Sequence, residues 1–302
     1  MITNSDYFER LKLASIKVTE VLTCKGVSAD KLCFGGEGKI PVKKPRIPID
    51  PNSNFLGNRA MGDWAEEALK STINSQQKIH QALHYGDTNE LAAGDELFKE
   101  YYLSELESTR VYGKRPDLLL YGVGNLPAKD ALADKPIAAT EEVAKLALAA
   151  IEVRSSKFRA IHYMRVREEE KANGKKGVRL CPSFTVKVED LIIVYRWMER
   201  FHVRQSYMQV FLDSIFGINF LDIFELIGEG KNIVIEKPKQ SQEKATIMIP
   251  ITLGHQVASC ATPPTFRLRI QETRLGRVDA FVAPEAGAFV LNGDNLNAVL
   301  FA

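Results

Sequence analysis

A mixed α/β fold, with helices flanking a mixed sheet and a β-rich C-terminal region, is what this sequence predicts. Amphipathic stripes at helical spacing alternate with short apolar runs through roughly the first 230 residues. Beyond Lys231, β-branched residues cluster or alternate between Gly and Pro breaks. With 45% apolar residues in 302, the chain can bury one large core, or a large core with a smaller unit appended.

The elements follow in order. Phe8, Leu11, Leu13, Ile16 and Val21 form a helical stripe over residues 5–22. FGGEGKIPVKKPRIPIDPNSNFLGN, rich in Gly and Pro, reads as a long loop or arm. From Asn58, a plausible cap, Met61, Trp64, Ala65, Ala68 and Leu69 share a helix face. Glu66 and Glu67 fall off that face; either could lend a carboxylate to a second metal, but on an amphipathic helix the solvated reading is favoured. A polar, weakly patterned region leads to Asp117–Tyr121, an apolar run between Pro116 and Gly122 that suits a buried strand. In TEEVAKLALAAIEVRSS the first half has helical composition and the second reads as a strand over Ala149–Val153.

VEDLIIVYRWMERFHV spaces Leu191, Val194, Tyr195, Met198 and Phe201 as a helix, with Glu189 and Asp190 where its dipole favours them. QSYMQVFLD has strand composition, and NFLDIFELIGEG reads as a helix capped by Asn219 and stopped by Gly228. NIVIE, ATIMIPITL, TFRLRI and GRVDAFVA are the C-terminal strands. These readings divide the chain into an N-terminal helix and arm (1–57), a core (58–230) and a β-rich region (231–302), which can equally belong to the same domain.

Several classes are excluded. No stretch approaches eighteen apolar residues and the N-terminus lacks the order of a secretion signal, so a cytoplasmic protein without a membrane span is expected. Cys24, Cys33, Cys181 and Cys260 are scattered, which predicts reduced thiols and no zinc site. GGEGK lacks the spacing and trailing hydroxyl of a phosphate loop, so no nucleotide cofactor is expected. Net charge is only +2, but basic residues concentrate in three segments: Lys39, Lys43, Lys44 and Arg46; nine residues from Arg154 to Arg179; and Arg267, Arg269, Arg274 and Arg277. Each alone is as well explained as a solvated face. Together they suit a groove that tracks phosphates if the fold gathers them.

The chemistry centres on Asp117 and Glu152. A carboxylate at the start of one strand and another at the end of its neighbour can converge on one cation, because adjacent strands lie about 5 Å apart. Mg²⁺ takes oxygen ligands and keeps waters, so Asp117, Glu152 and the carbonyl of Val153 make a sufficient set. A metal so held activates water and polarises a phosphate, which implies hydrolysis.

RPDLLLYG followed by AAIEVRSSKF resembles the PD-(D/E)xK nuclease superfamily, with Pro116-Asp117 as first motif and Glu152-x-Arg154 as second. NRAMGDWAEEAL resembles the acidic helix that precedes that core, and residues 183–227 resemble type II restriction endonucleases of the AccI-like family. The resemblance covers roughly residues 58–228. It implies a restriction-endonuclease-like core, cleavage of both strands of a short palindromic double-stranded DNA site, dependence on Mg²⁺ with Mn²⁺ as substitute, and a homodimer. Arg154 stands where the superfamily usually has Lys. A guanidinium stays protonated and forks onto phosphate oxygens, so Arg154 is cast as a transition-state stabiliser, with Lys157 the alternative for the third role. Lys43, Lys44, Arg46, Lys157, Arg267, Arg269 and Arg274 are the expected DNA contacts. A structure-specific or repair nuclease, and a degenerate fold that binds DNA without cutting, remain the alternatives.

Overall fold

The structure is a computed structural model that describes residues 2–28, 32–35, 52–85, 97–128, 131–132, 135–231, 233–236, 245–273 and 275–301. Helix α1 (Asn4–Cys24) opens on Thr3, whose hydroxyl accepts from the Asp6 amide. It buries Tyr7, Leu11, Ala14, Val18 and Leu22, residues at helical spacing, against α7 (Phe220–Glu229). Helix α2 (Ser53–Gln76) starts five residues before the expected Asn58, because the Asn52 side chain caps it by accepting from the Phe55 amide. Asn58 is an interior residue. Helix α7 begins where expected, with the Asn219 side chain accepting from the Leu221 amide. It runs past Gly228 to end at Gly230, which takes the left-handed conformation at φ +66°. Gly228 serves instead as a close-approach point, since a Cβ there would sit 3.0 Å from Lys17 Cβ on α1.

The remaining elements are β1 (His80–His84), α3 (Phe98–Tyr112), β2 (Leu118–Gly122), α4 (Ile137–Ala144), β3 (Ala149–Ser155), α5 (Ala160–Ala172), β4 (Ser183–Lys187), α6 (Val188–Phe201), β5 (Gln205–Val210), β6 (Ser214–Asn219), β7 (Val234–Glu236), β8 (Thr246–Pro250), β9 (His255–Thr262), β10 (Thr265–Glu272), β11 (Val278–Glu285), β12 (Ala288–Leu291) and α8 (Gly293–Phe301). The predicted strands and helices of residues 117–227 all form. Between the acidic helix and the first motif, β1 and α3 also form in the region that reads as unpatterned.

Seven strands make the central sheet in the order β1-β2-β3-β5-β6-β9-β12, with β3 and β5 parallel and every other neighbouring pair antiparallel. This is the mixed sheet expected. The region after residue 231 contributes β9 and β12 to it, while β4-β8-β7 and β10-β11 form small sheets of their own. Alternation along the strands sends Leu119, Tyr121, Ala150 and Tyr207 into a core shared with α1, α6 and α7. Leu118, Leu120, Ile151, Val153 and Met208 enter a second core with α2 and α8. Trp64 and Trp197 are core residues, as expected from their stripes.

Candidate active site at the divergence of two strands

Strands β2 and β3 pair from Leu118↔Ile151 to Leu120↔Ala149, so one step on, Asp117 stands opposite Glu152. The Asp117 backbone extends the sheet: its amide donates to the Ile151 carbonyl at 3.1 Å and its carbonyl accepts from the Tyr85 amide at 2.9 Å. Its carboxylate accepts from the Val153 amide at 2.6 Å. The two sequence-predicted carboxylates are therefore brought together, with Val153 beside them.

Glu152 is only 2% exposed, yet its Oε2 is buried with no hydrogen-bond partner among the described residues. An orphaned anionic oxygen in the interior is costly and marks a position where a cation fits. Burial, and next the Glu152 carboxylate, push the Asp117 carboxyl well above its usual range. The pair is thus short of positive charge, which is the condition an oxygen-seeking divalent cation relieves. Among the described residues no three His, Cys, Asp or Glu side chains form a metal-ligating group, so two carboxylates are the side-chain ligands on offer.

Lys114 supplies part of the missing charge. Its Nζ contacts Glu152 Oε1, and although burial by itself depresses the ammonium, the Glu152 and Asp117 carboxylates outweigh that and raise its pKa. The backbone explains how it arrives. Gly113 ends α3 at φ +86°, and a Cβ there would lie 2.3 Å from the Ile193 carbonyl oxygen and 2.4 Å from the Trp197 amide nitrogen of α6. Only glycine permits that approach. The Lys114 amide then donates to the Ile193 carbonyl at 2.8 Å, which fixes the start of its side chain. Sequence reasoning missed Lys114, although Gly-Lys immediately before Arg-Pro-Asp was visible.

Arg154 lies on the same face as Glu152, two residues along the strand. Its Nη2 donates to Asp190 of α6 at 2.9 Å and lies 3.2 Å from Glu152 Oε1, so the guanidinium is held between two carboxylates. Lys157 is not at the carboxylates: its Nζ lies 3.9 Å from where a Gly57 Cβ would stand, near the Val282 carbonyl of β11. Glu66 departs from the solvated reading. Burial first, then Asp63 and Glu152, raise its carboxyl to about 7, which puts Glu66 within electrostatic reach of the site from α2. Glu67 stays exposed and pairs with Lys70 at 2.5 Å.

Of the expected DNA contacts, Lys43, Lys44, Arg46 and Arg274 lie outside the described residues. Arg267 and Arg269 lie on β10, and Arg269 pairs with Glu285 at 3.1 Å. The basic run after Arg154 forms α5, which buries only Ala160 and follows directly from the site strand. Its first amides donate to the Asp213 carboxylate: Ala160 at 2.8 Å, Ile161 at 3.0 Å and His162 at 3.2 Å.

A mixed sheet with helices on both faces, carrying a buried acidic pair and an ammonium where two strands part, defines a class of α/β protein suited to phosphoester chemistry. A sequence model of the AccI restriction endonuclease family matches residues 23–180 and 175–302. The chain belongs to that family, which makes it a restriction-type nuclease with DNA as its partner. Neither a curated protein nor a solved structure matches it. No helix among the described residues is long and apolar enough to cross a membrane.

Proposed function

We propose that the chain is a Mg²⁺-dependent type II restriction endonuclease of the PD-(D/E)xK kind, hydrolysing both strands of a short palindromic DNA site as a homodimer. The observation that carries this reading is Asp117 opposite Glu152, with Glu152 Oε2 unpartnered and Lys114 on Oε1. Asp117, Glu152 and the carbonyl of Val153 would hold the cation, with Mn²⁺ able to replace Mg²⁺. When bound, it supplies Lewis-acid polarisation of the scissile phosphate and activation of water.

The chain's own residues do the rest. Lys114 offsets the charge of the carboxylates and keeps Glu152 Oε1 occupied, which leaves Oε2 as the open donor. Arg154 carries a permanent charge, and Asp190 holds its guanidinium beside Glu152. The ammonium absent from the second motif is thus available from Lys114, not from Arg154 or Lys157. That weakens the non-cleaving alternative, which rests on the Arg-for-Lys exchange. Arg165, Lys171 and Lys176, on or just after α5, suit phosphate contacts along the duplex.

Digestion of a sequenced plasmid with and without Mg²⁺ tests this reading. Discrete fragments with defined ends are expected, and none from Asp117→Ala or Glu152→Ala. Undiminished cutting by both variants overturns the site; smeared or junction-dependent products favour a structure-specific nuclease.

A further inference from the structure

Strands β10 and β11 form a two-stranded ribbon outside the central sheet, paired from Thr265↔Glu285 to Glu272↔Val278. Its two faces differ. One carries Asp279, Phe281 and Ala283, which rest on α2: Ser53 Oγ donates to Asp279 at 2.6 Å, Ala283 is buried, and Phe281 Cβ lies 3.7 Å from where a Gly57 Cβ would stand. The other carries Phe266, Leu268 and Ile270 of β10 with Val278 and Val282 of β11, and Leu275 lies in the turn. These six side chains are between 53 and 69% exposed.

A hairpin with alternating apolar residues on its outer face has the pattern of a strand pair buried on both sides, but one side is in water. Six such side chains amount to roughly 500 Å² of apolar surface, near the top of what a monomer leaves in one patch. The face has almost no charge. Glu272 is the one ionisable side chain on it among the described residues, and Arg267 and Arg269 alternate onto the opposite face. Among its described residues this face offers no cation with which to follow a phosphate backbone, which favours an apolar partner over DNA.

We propose that the outer face of the β10–β11 ribbon docks against the same face of a second copy of this chain. A patch that is apolar except for Glu272 at its end can match itself about a two-fold axis, the geometry that most homodimers use. Two ribbons face to face would bury on the order of 1,000 Å² in total, the threshold for a specific interface. The inference rests on the homodimer of the proposed function and gives it a surface; a ribbon variant that stays dimeric would overturn the surface alone, and none of the outcomes depends on the carboxylates.

Light scattering after gel filtration of the full chain, without DNA, tests it. The wild type is expected at the mass of two chains, and Leu268→Lys/Val282→Lys at the mass of one. Both positions are exposed, so folding should be unaffected, which circular dichroism checks. Val290→Lys, at another exposed apolar position, and Asp117→Ala should both remain dimeric. Hydrogen exchange at residues 265–285 of the wild type should slow as protein concentration rises. A monomeric wild type, a ribbon variant that keeps the dimer mass, or exchange independent of concentration would each overturn the proposal.

Discussion

Lys114 and Gly113 act as a unit. Because Gly113 is at positive φ and its backbone touches α6, Gly113→Ala should destabilise the fold by about 2–4 kcal/mol in a denaturant titration. It should also move Lys114 off Glu152. Lys114→Met should destabilise the metal-free protein, because it strips the ammonium from a buried carboxylate, and should lower turnover on the order of 100-fold while leaving Mg²⁺ binding no weaker; activity unchanged from wild type would remove Lys114 from the site. Glu66 gives a pH signature. Its folded pKa of about 7 exceeds its ordinary value of 4.5, so the protein binds more protons at this carboxyl than the unfolded chain does between those values. Stability from Glu66 is present below about pH 4.5 and is lost as pH rises through about 7. In metal-free buffer the wild type should therefore lose about 1–2 kcal/mol relative to Glu66→Gln across that window. Parallel pH profiles for the two proteins would contradict this.

At the scale of elements, α5 buries only Ala160 fully, and its exposed Lys171, with Lys176 just beyond, is better explained by a partner than by packing. Lys171→Ala/Lys176→Ala should weaken DNA binding at every sequence and lower the salt slope by roughly one for each phosphate no longer neutralised, measured by anisotropy in Ca²⁺. The elements show where sequence patterns suffice. Strands β2, β3 and β5 and helices α6 and α7 were legible because apolar spacing and caps agree. Strand β1, HQALH, was not, because its pairing with β2 depends on partners distant in sequence and its side chains are mostly polar. Asp117 and Glu152 were legible from motif and spacing. Lys114 was not, and Glu66 was legible only as the less favoured second-metal carboxylate, because α3 docking on α6 and α2 packing on the sheet bring them in, and neither arrangement leaves a periodic trace.

Over the whole molecule, β9 and β12 close one side of the sheet and α8 covers the second core beside β5, β6 and β9. A fragment ending at residue 230 would leave β6 as a bare edge and expose Met208, Ile215 and their neighbours. It should lack cooperative thermal unfolding, whereas the full chain should melt in one transition. A fragment with an unchanged melting transition would mean that the C-terminal strands are dispensable.

Where β2 parts from β3, the Asp117 amide still bonds to the Ile151 carbonyl, and the Asp117 side chain then takes over by accepting the Val153 amide. One carboxylate thus completes a strand ladder as well as belonging to the acidic pair. Alanine at 117 removes both functions, so an inactive alanine variant is ambiguous evidence for catalysis. Asparagine separates them: its amide oxygen can still receive the Val153 N–H while the charge is gone. A folded but inactive Asp117→Asn protein would locate the defect in chemistry, and it would be the safer inactive form for trapping DNA uncut.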